Sequence, residues 1–248
     1  MKPNLYRLEI TLHEATFFAS HELDAYYFTE PLIGNYAMAY ALGLVKSPYD
    51  RYHAGYGEDL PVLNERGIYV TPAWPESGLR YRVERFNCQS ESFFSAMTNN
   101  ALVEIAGRQF LRKEGNFWAD GKTGKKIARA TNRPQTGILK LLCPLNRFVC
   151  HVISKEKLFM PQYVRLGKFM SKAKIFFGKT ELQDKKKGRA EYKLINPLDL
   201  DPECRILFGD TINIHPTPLL RKAEIEGEWW TDTKGEPVIP AGLEFRGI

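Results

Sequence analysis

Residues 163–179, YVRLGKFMSKAKIFFGK, carry five cations (Arg165, Lys168, Lys172, Lys174 and Lys179) among aromatic and aliphatic side chains, with no acidic residue between them. Guanidinium and ammonium groups at such spacing suit the phosphates of a nucleic acid, and an aromatic face such as that of Tyr163 suits base stacking. On a helix, Arg165, Lys168 and Lys172 would form a row beside an inward stripe of Leu166, Phe169, Met170 and Ala173. If the chain after Ser171 is a strand instead, Lys172 and Lys174 still share a face. Gly167 would let the backbone approach a ligand closely. A core element with a solvated lysine face explains the same residues. No carboxylate stands near enough in sequence to neutralise the cations.

The charge of the whole chain bears on that choice. The 248 residues carry a net charge of +6, but it is unevenly spread. Residues 108–193 hold 22 Lys and Arg against 6 Asp and Glu, whereas the remainder holds 13 against 23. Such separation gives the molecule a one-sided field that attracts a polyanion. Exposed lysine loops, such as one containing Lys185, Lys186 and Lys187, would inflate the count.

Other chemistry is sparsely represented. Gly121-Lys122-Thr123 looks like the end of a phosphate loop, but Asn116 stands where the first glycine belongs, so a hairpin turn is the better reading. The four cysteines (88, 143, 150 and 204) include no CxxC pair and no zinc-finger spacing, which indicates small hydrophobes in a reduced compartment. Of the histidines, His151 lies in an apolar strand pattern as a satisfied core residue. His13 and His21 flank a segment that could approach a ligand. The acid pairs Glu58-Asp59 and Asp199/Asp201 sit beside prolines in turn-like contexts. Nothing specifies a nucleophile, a metal site or a cofactor.

The elements that must position these residues are mostly strands. Residues 5–12 alternate Tyr6, Leu8, Ile10 and Leu12 against Arg7, Glu9 and Thr11, a half-buried strand that could run on through Phe18. Thr29-Glu30-Pro31 opens a helix that Gly43 closes. Residues 45–76 read as loop-rich, 79–86 as a strand, and 93–99 as a helix or an irregular segment. Residues 102–130 read as a hairpin or extended arm turning at Asp120-Gly121-Lys122, and 137–153 as two buried strands or one bent strand. A polar lysine loop over 184–189 precedes three C-terminal strands. Strands outnumber helices and do not alternate with them, which predicts an α+β fold. The longest apolar run, 36–45, is half the length of a membrane span, and MKPNLYRLEI lacks a signal-peptide core. The expectation is a soluble cytoplasmic protein with no membrane partner.

Three stretches, LYRLEITLHEATFFAS, TEPLIGNYAMAYALG and MPQYVRLGKFMSKAKI, resemble the type I-D CRISPR-associated Cascade subunits of the Cas-five family ("Csc-one"), within the RAMP superfamily. The likeness covers most of the chain, and YVRLGKFMSK is its most specific part. It implies a single domain over 1–248 with a ferredoxin-like (RRM-type) core. An inserted β-hairpin thumb would lie at 102–133 and a β-rich C-terminal part at 200–248. The wider family holds the 5′ handle of the CRISPR RNA, beside the backbone and large subunits and close to where target DNA enters. The resemblance implies RNA contact for Arg165, Lys168 and Lys172. Charge alone extends it to Lys174 and to Lys125, Lys126, Arg129 and Arg133. The C-terminal glycine-rich loop typical of many RAMP proteins is not matched by Pro240-Ala241-Gly242 or Arg246-Gly247. Some relatives cleave precursor RNA without metal through Tyr, Lys and His, and no compact set of that kind is visible. The expectation is a non-catalytic guide-RNA subunit without a cofactor. A metal-independent endoribonuclease and a scaffold docking an acidic protein are the alternatives.

Overall fold

The computed structural model describes residues 2–23, 25–45, 47, 55–88, 111–114, 117–120, 123–129 and 135–247. Strand β1 (Asn4–Leu12) leads through β2 (His21–Leu23) and β3 (Tyr26–Phe28) to helices α1 (Asn35–Ala41) and α2 (Tyr56–Glu65). Short strands β4 (Ile68–Val70) and β5 (Trp74–Pro75) precede β6 (Tyr81–Cys88), β7 (Leu111–Glu114), β8 (Phe117–Asp120) and β9 (Lys126–Arg129). Then come β10 (Gln135–Leu142), β11 (Arg147–Ser154), β12 (Tyr163–Leu166) and β13 (Ser171–Thr180). The chain finishes with β14 (Lys185–Ile195), a 3-10 turn (Pro197–Asp199), β15 (Arg205–Ile212), β16 (Leu219–Thr231) and β17 (Pro237–Pro240). Strand is the dominant structure, as the alternating patterns predict.

The principal sheet runs β12-β13-β1-β11-β4, with β5 also on β11, and every pairing in it is antiparallel. Its middle strand is β1, whose Tyr6, Leu8, Ile10 and Leu12 enter the core while Arg7, Glu9 and Thr11 stay half-buried on the other face. Both helices pack on β4. A second sheet, β2-β3-β10-β6, is tied to the end of β1 by an antiparallel bridge between Thr16 and Leu142. The third contains β14, β16, β15 and β17, and the fourth is the meander β7-β8-β9.

Several expectations need correction. The first helix starts at Asn35, not near Pro31, because the preceding residues have tertiary partners. Thr29 Oγ1 donates to the Phe18 carbonyl at 2.9 Å, and Ile33 exchanges backbone hydrogen bonds with Ala73 at 3.1 and 2.8 Å. Gly43 does close it, at φ +69°, in a paired C-terminal motif where Gly43 N bonds Tyr40 O and Leu44 N bonds Ala39 O. Residues 45–76, read as loop, contain α2 with Pro61 inside it. Leu60 and Leu63 are buried while Pro61 stays exposed, so the proline costs one hydrogen bond on the solvent side. The lysine loop at 184–189 is instead the start of β14. Residues 137–153 form two strands, β10 and β11, in different sheets. The expected helix at 93–99, and Gly121 and Lys122 of the loop-like motif, lie outside the described residues.

Asp199 is the principal buried polar node. Its Oδ2 accepts from Asn35 Nδ2 at 2.8 Å and Tyr69 Oη at 3.0 Å, and its Oδ1 from the backbone N–H of Arg246 at 2.9 Å and of Gly247 at 3.2 Å. Arg246 in turn donates to the carbonyls of Asp199 and Leu200. One carboxylate thus joins α1, β4 and the C-terminal segment. Burial pushes its carboxyl up, while the four donors favour the ionised form. Asp199→Ala leaves those donors unpaired and is expected to cost about 3 kcal/mol or more, read as a lower urea midpoint at unchanged slope.

His151 meets its expected role as a satisfied interior residue. Its Nδ1 lies 2.7 Å from Tyr192 Oη, and its ring packs edge-on against Trp74. Burial, with Arg7 as a smaller cause, pushes its pKa down to about 4. The unfolded chain takes up the proton first, so this contribution is complete above about pH 6.5 and is lost as pH falls toward 4. The expected loss is roughly 3 kcal/mol. Denaturant melts between pH 7 and 4, compared with His151→Asn, measure it, and the variant should show the flatter profile.

Candidate nucleic-acid interface

The basic segment is neither a helix nor half a helix. Residues 163–166 and 171–180 form the antiparallel hairpin β12–β13, with Tyr163 opposite Lys174 and Arg165 opposite Lys172. Residues directly opposite each other project to the same face, so these four side chains stand together. The single row expected on a helix is replaced by a cross-strand cluster. The core contacts come from Val164, Leu166, Ala173 and Ile175, all buried on the reverse face. Phe169 and Met170, expected in the core, are 40 % and 61 % exposed in the turn. The turn carries them outward because Gly167 and Met170 both take positive φ, +70° and +53°.

Gly167 serves a purpose other than ligand approach. A Cβ there would sit 2.3 Å from the Phe17 carbonyl oxygen, and that oxygen accepts from Lys168 N at 2.8 Å. Ser171 Oγ donates to the Ala15 carbonyl at 2.7 Å, and Phe169 lies against Phe17 with centroids 5.3 Å apart. The hairpin is therefore clamped to residues 15–17, which follow β1.

The sheet extends the face beyond the hairpin. On β1, Thr11 lies opposite Lys174 and Glu9 opposite Phe176; on β11, Arg147 lies opposite Thr11. Tyr163, Lys174, Thr11 and Arg147 consequently form one row across four strands. Lys172 Nζ sits 4.2 Å from the centre of the Tyr163 ring, and His13 packs edge-on against the same ring at 5.9 Å. His13 thus joins the cluster, whereas His21 is held by Glu30 at 2.9 Å. Toward the other end, Trp74, His151 and Tyr192 cover the face.

A carboxylate does reach the cations, but from a distant part of the sequence. Glu14 Oε2 accepts from Lys172 N at 2.7 Å and lies 3.5 Å from Arg165 Nη1. Arg165 also donates to the Met170 carbonyl at 3.1 Å. Arg165 is thereby positioned and partly compensated at an exposed site, where the ion pair itself contributes little. Lys168 occupies the turn, outside the row. The lysine-rich β14 is compensated by its neighbour β16: Lys185 pairs with Glu228 at 3.1 Å and Arg189 with Glu224 at 2.6 Å. Lys125 is exposed just before β9, Lys126 is exposed at its start, Arg129 ends it, and Arg133 lies outside the described residues. Among the described residues, no group of three His, Cys, Asp or Glu side chains could hold a metal ion, and no helix is long and apolar enough to cross a membrane.

Arg147 and Phe176 are the members of this face that linear reading missed. Arg147 is separated from the basic segment by more than a dozen residues, and Phe176 looks like a core residue within KIFFGK. Counting inward and outward positions along both strands identifies them once the pairing is known.

The Phe17–Gly167 contact gives a direct test of the clamp. Gly167→Ala adds a methyl where there is no room and forces an alanine into positive φ, for an expected loss of about 2 kcal/mol or more. Gly178→Ala is the control, since nothing lies within 4 Å of the added carbon. Thermal unfolding should separate them, with Gly167→Ala lowered and Gly178→Ala unchanged.

No curated protein matches the chain. The model of one family, described as type I-D CRISPR-associated protein Cas5/Csc1, matches residues 3–247, and on that match the chain belongs to the Cas5/Csc1 family.

Proposed function

We propose that this protein is a non-catalytic RNA-binding subunit of a type I-D CRISPR surveillance complex, holding the 5′ handle of the guide RNA. The observation that carries the reading is the joint projection of Tyr163, Arg165, Lys172 and Lys174 from one face of a hairpin, in a chain of this family. Cations can hold phosphates while an aromatic ring accepts an unstacked base, a combination suited to single-stranded RNA.

The strand order supports a ferredoxin-like core. In β13-β1-β11-β4 the first and third strands are central, and the helices lie between the first and second. The strand β12 occupies the connection where that fold has its second helix. The meander β7-β8-β9 is read as the thumb, and the exposed Lys125 and Lys126 at the start of β9 are read as a second cationic surface for the same RNA. In this reading the backbone and large subunits of the complex are the protein neighbours in the cytoplasm, and target DNA passes nearby.

Fluorescence anisotropy with a labelled 5′-handle RNA tests the proposal. Replacing Arg165, Lys168 and Lys172 together with Ala is expected to weaken binding about tenfold or more and to lower the log–log salt slope by about 2. Wild-type affinity with an unchanged slope overturns the reading. Precursor repeat RNA incubated with the protein in EDTA is expected to stay intact, and cleavage would favour the endoribonuclease instead.

A further inference from the structure

Phe176 is the least satisfied large side chain on the sheet face. It is 68 % exposed, although the strand around it is well ordered by pairing to β1. Its neighbours on the same face are Lys174 and Gly178 along β13, and Glu9 across on β1. Gly178 leaves bare backbone there, with nothing within 4 Å of where a side chain would begin. Glu9 is paired with Arg7, which also reaches Glu76 at 3.1 Å, so the two carboxylates share one cation within the sheet. Among the described residues, none makes a ring–ring or cation–π contact with Phe176.

Two cations stand in the next row of the same face. Lys174 and Arg147 stand on either side of Thr11 in the adjacent row, two strand spacings or about 10 Å apart. Both are exposed, and neither forms an ion pair with a described residue. Tyr163 lies diagonally from Phe176, since it opposes Lys174. At that diagonal the two backbone positions are roughly 7–8 Å apart, and Lys174 is the neighbour of both.

From this arrangement we infer that Phe176 is a base-stacking platform and that the RNA path runs across the sheet from the β12–β13 hairpin to Arg147. The inference rests on the guide-RNA reading and adds to it a path and a ligand form. A stacked base must leave its own neighbours, so the face takes an unpaired strand. Phe176 holds one base over the space beside Gly178, Tyr163 holds a second, and Lys174 and Arg147 take phosphates. The A-form duplex keeps its bases paired and stacked, and offers this row nothing for the rings to hold.

The test titrates the full-length protein with a fluorescein-labelled single-stranded RNA of mixed sequence, and with the same strand annealed to its complement. Phe176→Ala should weaken single-strand binding about 5- to 100-fold with an unchanged salt slope, because a stacking contact and no charge is removed. Phe176→Tyr should retain wild-type affinity. Arg147→Ala should lower the slope by about 0.7, the contribution of one phosphate on a single strand. The duplex should bind more weakly than the single strand. Circular dichroism and thermal melts equal to wild type establish that these surface variants fold. If wild-type protein binds no RNA, the guide-RNA reading itself fails. If the Arg165/Lys168/Lys172 variant loses binding while Phe176→Ala and Arg147→Ala bind as wild type, that reading stands and the sheet path is overturned. Equal affinity for duplex and single strand also overturns it.

Discussion

Everything on the candidate interface depends on the register of β1. This strand pairs along almost its whole length with β11 on one side and β13 on the other. A one-residue slip against β13 would turn Ala173 and Ile175 to solvent and drive Lys172, Lys174 and Phe176 into the core. Burying two unpaired ammonium groups costs far more than any alternative pairing could return. The register is also secured outside the ladder, by the Phe17 carbonyl against Gly167 and by Ser171 on Ala15. The contacts that keep Leu8 and Ile10 buried are therefore the ones that aim the cations outward.

Folding redistributes the charge that the linear sequence presents. The basic middle of the chain contributes β14, and β14 lies against β16, which carries Glu224, Glu226 and Glu228. Arg205 on β15 adds to this ladder from the far side, 3.4 Å from Glu226. Much of the lysine-rich segment is thereby spent within one sheet. Arg165 is partly spent on Glu14, and Arg7 on Glu9 and Glu76. The net positive surface that survives on the principal sheet is narrower than the composition suggests, and it is centred on Lys172, Lys174 and Arg147. A compensated charge steers weakly, whereas an uncompensated one beside an exposed ring can both attract and hold.

The sequence made some of this legible and hid the rest for identifiable reasons. Strand β1 was plain because Tyr6, Leu8, Ile10 and Leu12 alternate without interruption. The three C-terminal strands were legible on the same grounds. For the basic hairpin the sequence leaves helix and strand both open, because Leu166, Phe169, Met170 and Ala173 satisfy a 3.6-residue period by coincidence. What decides against the helix is the left-handed backbone at Gly167 and Met170, which no hydrophobic pattern encodes. Helix α2 was hidden by Pro61, a breaker tolerated because it faces solvent. Lys172 and Lys174 sharing a face was predictable from period two alone. Glu14, Arg147 and Phe176 were not, since each is defined by a long-range pairing partner.

The placement of Asp199 explains how such a face can remain chemically free. The links between α1, β4 and the C-terminal segment run through one buried carboxylate and its four donors, on residues remote in sequence from the hairpin. The core face of the principal sheet supplies the apolar burial, through Leu8, Ile10, Val164, Leu166 and Ile175. Away from the Trp74–His151–Tyr192 end, the open face is then left with little share in stability: its salt bridges are exposed, and Phe176 lacks a ring partner among the described residues. A rigid frame with its stabilising contacts on one side and uncommitted cations and rings on the other can meet a ligand without rearrangement. Ordering costs on binding then fall mainly on the ligand, which favours a flexible single strand able to adapt to fixed positions. Substitutions at Lys174, Phe176 and Arg147 should accordingly change binding far more than folding, the reverse of what is expected at Gly167 or Asp199.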